Sequence, residues 1–289
     1  MAKQTLRAAH AIVDPSAGHR ALRSHPMEAP MVRVFLSLLV IGALAYLGIC
    51  AALFAFQRSL IYYPQPSALG AHDNTVTLPV AGAALEVAVR PHEGANALIY
   101  FGGNAEDVSL SLPAFSQAFA DHAIYMPHYR GYGGSSGSPS EQAIAQDAMV
   151  LFDRVHAEHL NVVVVGRSLG SGVAVRLASQ RPVSRLVLVT PYDSLLDLAA
   201  RQFSFFPVKW LLIDKFESWR YAPLVSAPTV VIAAEHDEVI PRASSDRLYG
   251  RFTKGVATFK LIPGATHNTI SDSPEYFRML QNIPRKDIG

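Results

Sequence analysis

The sequence predicts an α/β protein, a largely parallel sheet with helices on both faces, carried on one membrane-spanning helix. Three observations lead there. Short apolar runs such as Ala97 to Phe101 (ALIYF) and Asn161 to Val165 (NVVVV) alternate with helical patterns. A continuous apolar run of that length suits a strand buried on both faces, as in a parallel sheet. The second of these runs leads into Gly166-Arg167-Ser168-Leu169-Gly170, a G-x-S-x-G. Finally, Val34 to Phe56 (VFLSLLVIGALAYLGICAALFAF) carries no charge over 23 residues.

That apolar run accounts for the positive mean hydropathy. As a helix it spans roughly 35 Å, enough for a hydrocarbon core of roughly 30 Å. A cleaved signal would show a shorter apolar region and a small-x-small site, whereas this run passes straight into Gln57 and Arg58. A lipoprotein signal would need a small residue before Cys50, and Ile49 stands there. An uncleaved anchor at 34–56 is therefore expected, with a basic tail at 1–33 and a catalytic domain at 57–289. Lys3, Arg7, Arg20, Arg23 and Arg33 precede the run and only Arg58 follows it closely. Basic flanks stay cytoplasmic, so the catalytic domain is expected on the opposite side, the periplasm in a bacterium.

Composition excludes other classes. Half the residues are hydrophobic and 17% are charged, which is incompatible with disorder. A net charge of +2 without a basic stretch interleaved with aromatics excludes a nucleic-acid footprint. The single cysteine excludes an intrachain disulfide and a cysteine-based zinc cluster.

Along the chain, Ser59 to Asn74 reads as a connector, and Thr75 to Val80 with Ala84 to Val89 as a hairpin. ALIYF ends at Gly102-Gly103 and a helix is expected over Leu110 to Ala120. A strand follows at Ala123 to Met126, then a helix from Glu141 to His156. After NVVVV and its helix, strands are expected at Arg185 to Val189, Thr229 to Ala233 and Ala257 to Ile262. Chemistry in such a sheet gathers at the carboxyl ends of the strands.

At those ends the residues assemble a mechanism. Glycines two positions either side of Ser168 permit a sharp strand-to-helix turn that lifts the hydroxyl clear of the sheet. A serine hydroxyl needs a base, and the base an orienting acid. Of eleven histidines, His10, His19 and His25 lie in the tail, and His156 and His159 on a helix with the wrong spacing for H-E-x-x-H. His72, His92, His122 and His128 fall in turns or at strand edges. His267 follows the last strand in Pro263-Gly264-Ala265-Thr266-His267-Asn268, a loop of small residues able to deliver an imidazole. Asp237, after the strand at 229–233, is the preferred acid because the order Ser, Asp, His suits this kind of sheet; Asp193 is the second candidate. His236 would compete with His267, but its neighbour Asp237 points the other way in an extended turn. Oxyanion donors are expected from the Leu169 amide and from the Gly102-Gly103-Asn104 loop. Gly131-Tyr132-Gly133-Gly134-Ser135-Ser136-Gly137 matches neither phosphate-binding pattern and reads as a surface turn.

With these residues in view, the chain resembles the α/β-hydrolases, and among them the single-anchor α/β-hydrolase-domain serine hydrolases. The resemblance runs from Gln57 to about Ile270 through QRSLIYYP, YFGGNAEDV, YRGYGGSSGSPSE, VGRSLGSGVA, DKFESW, HDEVIP and PGATHN. It implies a mostly parallel eight-stranded sheet with a small cap, at about 194–227, between the sixth and seventh strands. It also implies a Ser168 nucleophile, an Asp237 acid, a His267 base and oxyanion amides at Asn104 and Leu169, with no metal or organic cofactor. Two departures stand out: Gly102-Gly103 replaces the usual His-Gly, and Ala234 a usual Gly. The first bears on how the oxyanion loop is supported.

The expected activity is hydrolysis of carboxylic esters, lipid esters or acyl thioesters included, through an acyl-enzyme. Alternatives are a serine peptidase or amidase on the same fold, or a silent membrane-tethered binding protein; an intact triad argues against the last. Ser168 excludes an aspartate-nucleophile enzyme, and Cys50, lying in the anchor, excludes a cysteine nucleophile. The cap holds both tryptophans and many large apolar residues, Phe205, Phe206 and Trp210 among them. These are expected to line an acyl pocket or to rest on the bilayer.

Overall fold

The computed structural model describes residues 28–68 and 74–281. The tail up to residue 27, with His10, His19, His25 and four of its basic residues, lies outside the described residues, as do His72 and the chain after Gln281. The chain divides into two compact units at Ile49/Cys50. In the first unit the described part is the opening stretch of helix α1 (Glu28–Ile61). Its apolar side chains are exposed, Leu36 by 53% and Ile41 by 62%. The helical segment Pro30–Ile61 is long and apolar enough to cross a membrane.

The second unit is built on one eight-stranded sheet. Its strands are β1 (Thr75–Val80), β2 (Ala83–Arg90), β3 (Asn96–Phe101), β4 (Ala123–Pro127), β5 (Asn161–Arg167), β6 (Arg185–Val189), β7 (Thr229–His236) and β8 (Ala257–Thr266). They lie in the order β1-β2-β4-β3-β5-β6-β7-β8. β2 pairs antiparallel with both β1 and β4, and every other pairing is parallel. The helices are α2 (Leu112–Ala118), α3 (Glu141–Glu158), α4 (Leu169–Ala178), α5 (Leu195–Gln202), α6 (Val208–Leu211), α7 (Ser218–Tyr221), α8 (Arg242–Tyr249) and α9 (Pro274–Gln281).

The run of valines in β5 shows why both faces are covered. Val162 and Val164 join Phe152 of α3 and Val173 and Leu177 of α4 on one side. Val163 and Val165 join Phe115 of α2 and Tyr276 and Leu280 of α9 on the other. Alternation along a strand sends successive side chains to opposite faces, so a strand apolar at every position needs helices on both.

Several boundaries differ from the sequence expectation, and three of the differences have a clear physical cause. α1 does not end at Phe56, because the polar residues that follow find partners: Gln57 Nε2 donates to the carbonyls of Phe54 and Leu211, and its Oε1 accepts from the Ile213 amide. β8 continues through Pro263 to Thr266, because its pairing with β7 carries on past an irregularity at Ala234/His236 to join His236 with Thr266. The segment expected as a loop is therefore strand, and His267 stands at its end. The helix expected from Leu110 starts as a 3₁₀ turn at Val108–Ser111, where the Asp107 side chain accepts from the Ser109 amide. α2 then begins at Leu112, with Pro113 in its first turn.

One buried ion pair fixes the loop after β4. Arg130 forms two hydrogen bonds of 2.7 Å with the Asp147 carboxylate on α3, and it also donates to the Ala81 carbonyl. Removing one partner of such a pair strands the other charge. Asp147→Asn is therefore expected to cost about 3 kcal/mol of unfolding free energy, measured by urea denaturation; a change within error would show that Arg130 is solvated.

Candidate active site

Ser168 stands between β5 and α4 with φ 50° and ψ −116°, a left-handed conformation unusual for a residue with a side chain. Such strain costs about 1–3 kcal/mol and persists only where the surroundings enforce it. The Ser168 amide donates to the Val189 carbonyl, and its carbonyl accepts from the Ser171 amide and hydroxyl. The flanking glycines allow the close approach. A Cβ at Gly170 would lie 2.1 Å from the Phe101 carbonyl oxygen, and one at Gly166 would lie 2.4 Å from that of Gly170.

The structure brings Ser168, His267 and Asp237 together. His267 Nε2 is 3.0 Å from Ser168 Oγ. Its Nδ1 is 3.0 Å from both Asp237 carboxylate oxygens. Asp237 Oδ1 also accepts the amides of Val239 and Ile240, which fixes the carboxylate in place. A carboxylate on Nδ1 puts the proton there and leaves Nε2 free to accept from the serine. The His267 backbone is held too: its amide donates to Glu238 and its carbonyl accepts from Arg167.

The other candidates are elsewhere. His236 is exposed, and its ring lies 3.7 Å from Glu235. Asp193 accepts from the Ser244 hydroxyl and from Arg247 through both carboxylate oxygens. Burial pushes its carboxyl up, but the hydrogen bonds from Arg247 and Ser244 prevail and hold it below the usual carboxylate range. Asp193 ties the loop after β6 to α8.

The two expected oxyanion donors flank the serine. Leu169 is the first residue of α4, and the opening amides of a helix have no intrahelical acceptor. Asn104 sits on the loop after β3, whose support comes from Glu106. The Gly103 amide donates to Glu106 Oε2 at 2.7 Å, while Glu106 Oε1 accepts from the Tyr100 and Ser111 hydroxyls. Arg167 approaches the same carboxylate at 3.7 Å. Burial and the neighbouring Glu106 charge push the Tyr100 phenol well above its ordinary range, so it remains a donor. The substitution of Gly102 for the usual histidine has a steric reason here: any Cβ would lie 2.4 Å from Val108 Cγ1.

The Asn104 side chain faces away from the strand and clamps the chain leaving α1. Its Nδ2 donates to the Ile61 carbonyl; its Oδ1 accepts from the Tyr63 amide and the Tyr132 hydroxyl. Tyr132 also accepts from the Tyr63 amide. Burial pushes its phenol up to about 12. The stretch 131–137 is a turn exposed along much of its length, as expected, but Tyr132 within it is buried and reaches the loop after β3. A second clamp joins Arg58 and Tyr62 to the buried Asp214 carboxylate, both at 3.1 Å. Glu141 in turn accepts the Lys215 and Phe216 amides. Sequence reasoning missed Glu106, Tyr132, Glu141 and Asp214. All four lie in the motifs that carried the resemblance, which was the one available signal.

A cavity of about 570 Å³ reaches Ser168, Leu169 and Asn104. Leu195, Leu198 and Phe206 from the cap wall it on one side, and Leu53 and Leu60 of α1 on another. Phe205 and Trp210, expected either in this pocket or on the bilayer, are not among its walls and are 89% and 87% exposed. The turn at 203–208 directs Phe206 inward and its neighbour outward. Among the described residues, no group of three or more His, Cys, Asp or Glu side chains is placed to hold a metal ion.

Comparison with known proteins agrees with this architecture. Residues 96–217 match the family described as alpha/beta hydrolase fold. An uncharacterized protein of Mycobacterium tuberculosis is 34% identical over 251 residues, covering 81% of this chain and 88% of that protein. The chain belongs to the α/β-hydrolase family, and its class of chemistry is hydrolysis. The lysophosphatidylserine lipase ABHD12 of Mus musculus is 29% identical over 219 residues, which cover 64% of this chain and 55% of the lipase. The chain thus spans little more than half of that relative. Among solved structures, an α/β-hydrolase enzyme from a Medee basin deep-sea metagenome shares the fold, with a TM-score of 0.58 at 15% identity over 71% of this chain and 95% of that one.

Tyr132→Phe tests the clamp. It removes one hydroxyl and leaves Asn104 Oδ1 with one partner fewer. The expected outcome is a fall in kcat of about tenfold with little change in KM, as an oxyanion donor on this loop would require. Steady-state kinetics with the fold checked by circular dichroism decide it, and an unchanged kcat would make the clamp purely structural.

Proposed function

We propose that this protein is a membrane-anchored serine hydrolase of carboxylic esters, with lipid esters as the substrate class and acyl thioesters within its chemistry. The observation that carries the proposal is the continuous hydrogen-bonded line from Ser168 Oγ through His267 to Asp237, with Ser168 lining a largely apolar cavity. In this reading His267 Nε2 takes the Ser168 proton as Oγ attacks the acyl carbon. The Asn104 and Leu169 amides receive the oxyanion, and Asp237 stabilises the imidazolium. His267 then protonates the departing alkoxide, leaving an acyl-Ser168. Water activated by the same histidine releases the acid and restores the serine.

Lipid esters are favoured because the cavity is walled mainly by apolar side chains, leucines foremost, as pockets for uncharged acyl chains are. A relative named as a lipase points the same way. Residues 34–56 serve as a single-pass anchor, with residues 1–33 in the cytoplasm and the catalytic domain, 57–289, across the membrane. Support for that direction comes from the basic residues before the span.

Ser168→Ala is expected to abolish fluorophosphonate labelling and lower turnover by about three orders of magnitude or more. Asp237→Asn should keep the fold but misorient His267, with a loss of about 10⁴-fold in kcat. Labelling that survives in Ser168→Ala would remove the mechanism. In an ester panel, kcat/KM is expected to rise from acetyl to hexanoyl, since each buried methylene contributes about 0.8 kcal/mol. Phe206→Ala should flatten that rise. Cleavage of amides but not esters would favour a peptidase.

A reporter fused after Gly289 tests the topology. Its activity is expected only on the side opposite the cytoplasm; a cytoplasmic signal would reverse the assignment.

A further inference from the structure

Resting on the ester reading, we infer that the last turns of α1 set the acyl length this protein accepts. Leu53 marks the far end of an acyl channel that starts beside Ser168 and runs for about ten carbons.

The direction of the acyl chain follows from the sheet. Ser168 follows β5, Asn104 lies after β3 on one side of it, and Asp237 and His267 follow β7 and β8 on the other. In the reaction proposed above, His267 protonates the departing alkoxide, so the alcohol lies toward β7 and β8. On that side the cavity is walled by Glu238, Val239 and Ile240. The acyl chain takes the other direction, over the loop after β3. α1 ends at that loop, where Asn104 Nδ2 donates to the carbonyl of Ile61, the last residue of the helix.

Backwards from Ile61, one face of α1 walls the cavity through Leu60, Gln57 and Leu53. Intervals of three and four residues keep side chains on one side of a helix. Leu53 and Ile61 are half-buried and Gln57 is buried, whereas Phe56 is 64% exposed. The amide of Gln57 does not break the apolar character of this wall. Its nitrogen donates to the Phe54 and Leu211 carbonyls, and its oxygen accepts from Ile213. All four residues belong to the compact unit that holds the sheet, which begins at Cys50.

The wall stops at Leu53. Cys50, one turn further back on the same face, is buried and is not among the cavity walls. Positions 53 and 61 of the helix differ by eight residues, about 12 Å along its axis. An extended alkyl chain, with C–C bonds of about 1.5 Å at the tetrahedral angle, advances about 1.25 Å per carbon. The wall therefore matches about ten carbons. Each methylene buried against it raises kcat/KM about fourfold, and that gain ends where the wall ends.

The test measures kcat/KM of the full-length protein in detergent micelles for p-nitrophenyl esters from butyryl to tetradecanoyl. Variants are compared with wild type at each length, so that partition into the micelle cancels. Wild type is expected to rise with length and level off near decanoyl. Leu53→Trp should move the break back by about one helical turn, and lower the decanoyl-to-butyryl ratio about tenfold or more. Leu53→Ala, which adds no bulk, should carry the rise beyond decanoyl. Leu60→Trp, nearer the serine, should place the break at shorter lengths than Leu53→Trp does. Phe56→Trp, on the exposed side of the same helix, should keep the wild-type profile. Profiles that superimpose for wild type and both Leu53 variants would overturn the channel, as would a Phe56→Trp profile shortened as much as that of Leu53→Trp. If no ester is turned over, the ester reading falls. The rates at which alkyl fluorophosphonates of the same lengths label Ser168 then decide the channel by the same comparison.

Discussion

The backbone of Ser168 has a conformation that its own side chain disfavours, and the geometry around it depends on that conformation being enforced. Gly166 and Gly170 let three stretches of backbone meet where any methyl group would force them apart, the end of β3 against the start of α4 in particular. That contact sets the distance between the loop carrying Asn104 and the amide of Leu169. The same turn directs Oγ toward His267 and places Arg167 where it reaches both Glu106 and the carbonyl of His267. Strain at one residue thus orders three loops from distant parts of the chain, as is common where a fold keeps a reactive group ready.

Around this turn runs a ring of carboxylates and amides that hold backbone. Glu106 holds the Gly103 amide, Asp237 those of Val239 and Ile240, and Glu141 those of Lys215 and Phe216. Buried backbone groups need partners, and loops at the end of a sheet cannot obtain them from neighbouring strands. Charged acceptors give stronger bonds than neutral ones, so each loop is held by a few well-placed acids. Glu106 explains how the chain manages with glycine at 102: the support comes from below the loop.

The middle of the sheet was legible in the sequence because β3, β5 and β6 carry unbroken apolar runs, a pattern that depends on local composition. β5 and β6 could be read almost to the residue for that reason. Ser168, His267 and Asp237 could be named because chemistry limits which residue types can serve and the strand ends limit where. The limits of the reading lie where pairing is long-range. The extension of β8 through Pro263 is decided by its neighbour β7, and the continuation of α1 past Phe56 by carbonyls more than 150 positions away. Tyr132 does lie in a glycine turn, but nothing nearby in the chain shows that its hydroxyl meets Asn104. Phe205 and Phe206 are alike in sequence, and only the turn between α5 and α6 separates their directions.

The ties made by Gln57, Arg58 and Tyr62 bear on where the protein can be cut. The compact unit holding the sheet begins at Cys50, several residues before the apolar run ends. A version trimmed to begin after Tyr62 would strip the partners from the Leu211 carbonyl, the Ile213 amide and the Asp214 carboxylate at once, and would open one wall of the cavity. A shortened form that keeps this packing therefore has to retain the last three turns of α1, because they belong to the same compact unit as the sheet.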